Sequence, residues 1–426
     1  MLLYGISIGL NRGSMLLFMP IIISNLNIED YGIYSYILAI VYILAPFLSL
    51  NLSAGIAREG ADDIGRAIYL QKKIVPPITL AVLILSLAAY LTDIYLYDIP
   101  YITLAILLAG TESLHGILLA CERAANHHIR YLIIILFKIL GFIGIMYIMV
   151  FFRIFNLSNL FLIQVVYNLL IYLGFSIGQL NRPSIPFKIK AIVTFSALLL
   201  PHTLSQWLMN ASNKLIIRGL CGDFQLGVFS VAFSIASVAM ILNSGISLVI
   251  PQHIVKNYDK WTNKKNVNKF YLFYSLLFLF IYVFLIIAMY LDVTFTHKYN
   301  NYNFELIYSF TLIFLGFYLL GFYYYYSNIL FYHKESKTIS KVTILTSIVS
   351  VGITYFLTMY FKVIGASISV LITYFFYYIF IYNSAKRVDN NLNNRFYYEI
   401  KLIIATVFII SLIGFLFVST VLTKAS

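Results

Sequence analysis

Charged residues make up only 11% of this 426-residue chain, where a soluble domain carries about a quarter. That scarcity excludes an ordinary water-soluble globular fold. Cysteine is nearly absent: Cys121 and Cys221 are the whole complement, so a disulfide scaffold is excluded. Long polar connectors are missing as well, and the two longest, near 252–268 and 385–398, leave no room for a soluble catalytic domain. The chain also lacks a Gly-rich phosphate loop, a zinc-ligand spacing and a nucleophile elbow. Nothing in it calls for a cofactor, a metal or ATP hydrolysis. The first stretch lacks the basic leader and the small-x-small site of a cleavable signal peptide, and it carries Arg12 mid-segment.

What is present is apolar length. Hydrophobic residues reach 61% and fall into runs of about 18–25 residues, each enough to cross roughly 30 Å of hydrocarbon. The runs read as spans near 2–24, 31–52, 72–96, 100–121, 130–152, 156–178, 190–217, 225–250, 269–291, 303–332, 338–361, 363–384 and 399–422. The expected fold class is all-α: a polytopic membrane protein of twelve core transmembrane helices, with an extra hydrophobic helix at 399–422 whose crossing the sequence leaves open.

The net charge of +13 would suggest nucleic acid in a soluble protein, but here it comes from alternating loops. Arg58, Arg66, Lys72, Lys73, Arg123, Arg130, Arg182, Lys188, Lys256, Lys264, Lys334, Lys337, Lys386 and Arg387 fall in every second connector. The opposite connectors hold mostly acids, among them Glu29, Asp30, Asp98, Asp223 and Glu305. The positive-inside rule then makes the basic set, and the amino terminus, cytoplasmic. No nucleic-acid partner is expected. The two cysteines fall on opposite sides of the membrane and cannot bridge.

Two stretches echo each other. Asn27–Ile40 reads NIEDYGIYSYILAI and Gly222–Ile235 reads GDFQLGVFSVAFSI, so that Gly32 matches Gly227, Tyr34 matches Phe229 and Ser35 matches Ser230. Six spans separate the copies, so both enter the bilayer in the same direction. This is a parallel repeat about an axis along the membrane normal, a layout secondary transporters use. The expected domains are a six-helix bundle over 1–182, a second over 183–384, and a cytoplasmic linker plus additional helix over 385–426. The stretch 179–190, stiffened by Pro183 and Pro186, suits a hinge between the bundles.

Polar residues inside the spans are the candidates for function. Arg12 lies near bilayer depth with no acid nearby in sequence, and such a residue usually marks a substrate or ion pathway. Asn11 stands beside it. Gly5, Gly9 and Gly13 form a small-xxx-small stripe suited to close packing. Glu112 and His115 are one turn apart in the fourth span. Counting from the cytoplasmic helix ends, Glu112 and Lys138 lie about 13 and 12 Å deep on adjacent spans, which predicts a pair. That pair either neutralises two costly charges or opens when Glu112 protonates, with His115 titrating nearby. In the seventh span Pro201 invites a bend. His202 is a further candidate ion-coupling group, and Gln206, Asn210, Asn213 and Lys214 recur at helical spacing as one polar stripe. Amides and cations suit sugar hydroxyls and phosphate oxygens. Lys214 and Arg218 have a second reading, snorkelling to the external interface. Tyr323–Tyr326 and Tyr374–Tyr378 are candidate sugar-stacking platforms, but their place near cytoplasmic span ends favours an interfacial aromatic belt.

The opening GISIGLNRGSMLLFMPIIISNLNIEDYGIYS resembles the polysaccharide and lipid-linked oligosaccharide flippases. The stretches PHTLSQWLMNASNKLIIRGLCGDFQLGVFSVAFSIASV and KVIGASISVLITYFFYYIF carry the same likeness, which covers roughly residues 1–384. These flippases are the O-antigen translocase type of the multidrug/oligosaccharidyl-lipid/polysaccharide exporter superfamily. The resemblance implies translocation of an undecaprenyl-diphosphate-linked oligosaccharide by alternating access, across a bacterial cytoplasmic membrane, without enzymatic chemistry. It implies membrane lipid, a polysaccharide polymerase and a chain-length regulator as partners. On that reading Arg12, Asn11, Lys138, Gln206, Asn210, Asn213, Lys214 and Arg218 bind substrate, and Glu112, His115 and His202 couple an ion. Two alternatives stand beside it: an integral-membrane polymerase, disfavoured by the lack of a large external loop, and a multidrug exporter of the same superfamily.

Overall fold

The computed structural model describes residues 2–93, 101–186, 189–256, 258, 263–296, 303–389, 392 and 396–425. Every regular element among them is helical: α1 Leu2–Asn25, α2 Ile28–Leu48, α3 Leu52–Asp62, α4 Ile64–Asp93, α5 Ile102–Ala124, α6 His128–Phe151 and α7 Leu157–Leu180. After these come α8 Ile189–Leu198, α9 Leu200–Lys256, α10 Lys264–Thr296, α11 Asn303–Tyr332, α12 Ser336–Val388 and α13 Phe396–Ala425. Among the described residues, ten stretches are long and apolar enough to cross a bilayer. Two of them, one running from α8 into α9 and one in α12, each hold two helices joined across a kink.

The bends have local causes. In α9 the chain turns at Gly222, with φ +84 and ψ 178, a left-handed conformation that side-chain-bearing residues avoid. Arg218 closes the turn by donating from Nε to Asp223 at 2.8 Å. In α12 the turn is at Lys362, with φ 50 and ψ −133. Gly365 follows because a Cβ there would overlap the Leu357 carbonyl. The returning arm of α12 is stitched to the first by Thr354 and Ser369 hydroxyls 2.9 Å apart and by Thr343 and Tyr377 hydroxyls 2.9 Å apart. A Cβ on Gly222 would meet nothing within 4 Å, so only backbone strain opposes substitution. Gly222→Ala should therefore cost about 1–2 kcal/mol, read as a lower unfolding temperature of the purified protein.

The turns ahead of α2 and α7 are built by capping. Asn27 Oδ1 accepts from the Asp30 amide at 2.7 Å, and Glu29 and Asp30 occupy the positive first turn of α2. Asn156 does the same for α7, accepting from the Asn159 amide at 2.9 Å. The echoed positions share one environment: Tyr34 and Phe229 are fully buried, and Ser35 and Ser230 are each 1% exposed.

The chain divides into two compact units, Met1–Trp207 and Leu208–Ser426. In the first, α5 packs against α2, α3, α4 and α7, and α1 packs against α6 with Phe18 and Phe142 edge to face at 5.3 Å. Gly9 and Gly13 are both buried on α1. The short helix α3 is not expected from hydropathy. It is amphipathic and too short to cross, with Leu52 and Ile56 in the core and Arg58 lying 4.3 Å over the Phe195 ring of α8. The stretch after α7 is strapped to this unit: Lys72 Nζ donates to the Arg182 carbonyl at 3.1 Å, and the Ile185 amide donates to the Gly65 carbonyl at 3.0 Å.

The second unit centres on α11, whose tyrosines do not form an interfacial belt. Tyr325, Tyr326 and Tyr378 are fully buried, and Tyr374 and Tyr377 are 2% exposed. The reason is packing: α11 and α12 face each other, so both runs point inward, where each buried hydroxyl needs a partner. Tyr377 finds Thr343, while Tyr326 and Tyr378 both donate to the buried Glu399 carboxylate of α13, at 2.5 and 3.0 Å.

Candidate functional site

In the first unit, α5, α6 and α7 bring three polar groups together inside apolar helices. Lys138 Nζ donates to Glu112 Oε2 at 2.7 Å, an ion pair whose side chains are 17% and 20% exposed. Asn168 of α7 donates from Nδ2 to Glu112 Oε1 at 3.1 Å, so both carboxylate oxygens are engaged. His115, 1% exposed, sets Nε2 3.2 Å from the Asn168 carbonyl, which makes Nε2 the protonated ring nitrogen. Its Nδ1 is buried with no hydrogen-bond partner. Nearby, the fully buried Tyr34 donates to Gln164 Oε1 at 3.3 Å. The expected Glu112–Lys138 contact is thus formed, and His115 lies one turn from Glu112.

Sequence reasoning missed the α7 half of this cluster. Gln164, Tyr167 and Asn168 stand at i, i+3 and i+4 in an otherwise apolar run, the spacing that puts three side chains on one helix face. That stripe was the available signal.

The seventh-span residues separate. His202 and Gln206 belong to the first unit, where Gln206 Nε2 donates to His202 Nε2 at 3.1 Å. The other members lie in the second unit. Asn210 Oδ1 accepts from Tyr374 at 2.6 Å, and Asn213, 3% exposed, accepts from Thr354 at 3.1 Å. Lys214 places its ammonium 5.3 Å over the Phe233 ring, and among the described residues no carboxylate forms an ion pair with it. Ring quadrupoles attract a cation, by about 2 kcal/mol when it is desolvated. Arg218 stands apart, held in the turn by Asp223. Asn11 is exposed on α1, and the side chain of Arg12 lies outside the described residues. Among the described residues no group of three His, Cys, Asp or Glu side chains suits a metal.

Residues 26–303 match the family described as polysaccharide biosynthesis protein, well over half of the chain. The chain belongs to that family. A search of curated proteins finds no match. Among solved structures, this polysaccharide biosynthesis protein resembles the inward-facing form of a multidrug resistance MATE family transporter of the MOP superfamily. The TM-score is 0.62 at 15% identity, covering 90% of this chain and 99% of that one. The outward-facing form of a multidrug resistance MATE family transporter matches with a TM-score of 0.59 at 15% identity, covering 92% and 96%. A MATE protein in its straight conformation gives 0.58 at 17% identity, covering 92% and 95%. At such identities the likeness fixes the fold: a multi-pass, all-helical membrane protein of two bundles.

Proposed function

We propose that this protein is a flippase carrying an undecaprenyl-diphosphate-linked oligosaccharide from the inner to the outer leaflet of the bacterial cytoplasmic membrane. The cargo belongs to surface polysaccharide synthesis, O-antigen or capsule. The observation that carries the reading is a transporter fold in a chain of the polysaccharide biosynthesis family. Stripping a sugar's hydroxyls of water costs several kcal/mol each, so a polar route through apolar helices lowers the barrier. Two six-helix bundles, 1–182 and 183–384, alternate access to that route, and 385–426 adds a linker and a further helix. The amino terminus faces the cytoplasm.

Lys214 and Arg12 hold the diphosphate by charge, with Asn11, Gln206, Asn210, Asn213 and Arg218 offering hydrogen bonds to sugar and phosphate. Glu112, with Lys138 as its partner and with His115 and His202 in support, couples the cycle to a proton: protonation of Glu112 releases Lys138, which then meets the anionic cargo. A strain lacking the protein should accumulate lipid-linked repeat units on the inner leaflet, and Arg12→Ala should fail to restore surface polymer although the variant inserts normally. Repeat units already on the outer leaflet of the deletion strain would overturn the reading in favour of polymerisation. The resemblance to MATE transporters supports one second reading, multidrug export; a changed drug-susceptibility profile with intact surface polysaccharide would favour it.

A further inference from the structure

α6 is not a uniform helix. Residues Phe137–Gly141 form a π-turn, a conformation taken by well under 1% of residues and found mostly as single turns near functional sites. Lys138 is the second residue of this turn. A π-turn inserts one residue into the helix, so the faces before and after it are offset by about 100° from their α-helical relation. Closed into regular α-helix, α6 could not keep both its contacts: Phe142 edge-on to Phe18 of α1, and Lys138 at 2.7 Å from Glu112 of α5.

Two features hold the turn open. Tyr167 of α7 donates its hydroxyl to the Phe137 carbonyl at 2.6 Å, tying the first residue of the turn to the neighbouring helix. Gly141 makes room for it, since a Cβ at that position would overlap the Tyr167 hydroxyl. The next residue along α7, Asn168, holds the other end of the pair through Glu112 Oε1 at 3.1 Å. Consecutive α7 residues thus grip the turn that bears the cation and the carboxylate that receives it.

We infer that Tyr167 and Gly141 are positioning residues, which keep the Phe137–Gly141 π-turn open and thereby aim Lys138 at Glu112. The bearing of this device on transport rests on the flippase reading; the aiming itself does not. Tyr167→Phe removes the hydroxyl and keeps the ring, which is stacked on Phe142 with centroids 6.2 Å apart. Labelling of Lys138 by an amine-reactive ester, followed by peptide mass spectrometry on the purified full chain, reads the pair directly. Labelling in Tyr167→Phe should be about tenfold faster than in the wild type, approaching that of Glu112→Gln, since one lost hydrogen bond of about 1.4 kcal/mol is a factor of ten. Gly141→Ala should do the same, and adding Tyr167→Phe should not compound it. If Gly141→Ala does not fold, Tyr167→Phe alone carries the test. Labelling in Tyr167→Phe within twofold of the wild type overturns the inference. Faster labelling with unchanged lipid-linked sugar transport upholds the aiming of Lys138 and overturns the coupling role given to the pair.

Discussion

Replacing Glu112 by glutamine alone is expected to destabilise the protein by about 3 kcal/mol, whereas Glu112→Leu combined with Lys138→Met is expected to be nearly neutral. The asymmetry follows from the cost of an uncompensated charge. In the wild type the ammonium and the carboxylate are 2.7 Å apart and only 17% and 20% exposed. Removing the negative partner strands Lys138 among apolar helices, while removing both leaves a packable apolar contact. Thermal unfolding in detergent should show a fall of several degrees for the single variant and little change for the double. Transport separates the two roles of the pair. A double variant that folds normally but no longer flips lipid-linked sugar makes Glu112 and Lys138 a working pair; one that folds and flips makes them a packing device.

Lys214→Met is expected to behave in the opposite way. The wild-type ammonium rests over Phe233 at 5.3 Å with no described carboxylate to neutralise it, so burying it costs stability that methionine would recover, about 1 kcal/mol or more. If Lys214 holds the diphosphate, the same change removes a charge-assisted contact of about 3 kcal/mol, a loss of roughly a hundredfold in transport. Lys214→Arg should retain part of the activity, because the charge survives while its shape changes. Raised stability with lost transport is the signature of a site kept for function. Unchanged transport in Lys214→Met would remove this residue from the substrate path.

The architecture was legible because the crossing helices are apolar runs and the turns between them carry their own punctuation. The turn at Asn27 carries Glu29 and Asp30 and the turn at Gly222 carries Asp223, and the turn at Lys362 falls between the runs 338–361 and 363–384. Helix α3 was hidden because a short amphipathic helix adds nothing to a hydropathy sum. The tyrosines of α11 and α12 were misjudged for a related reason: sequence places them at a depth but does not say which way they face. Facing inward, they become a core whose hydroxyls meet Glu399, Thr343 and Asn210. Equal depth on neighbouring helices was enough to pair Glu112 with Lys138. The means of holding that pair was not legible, since a π-turn leaves no mark in residue periodicity and Tyr167 touches α6 only through the fold.

Movement of a sugar-bearing lipid across the bilayer can be measured on the purified protein. Reconstituted into liposomes with a fluorescent polyprenyl-diphosphate oligosaccharide, the wild type should move the label between leaflets far faster than empty vesicles, and Lys214→Met should not. Equal rates with and without the protein, in vesicles where it extrudes an organic cation, would contradict the assignment.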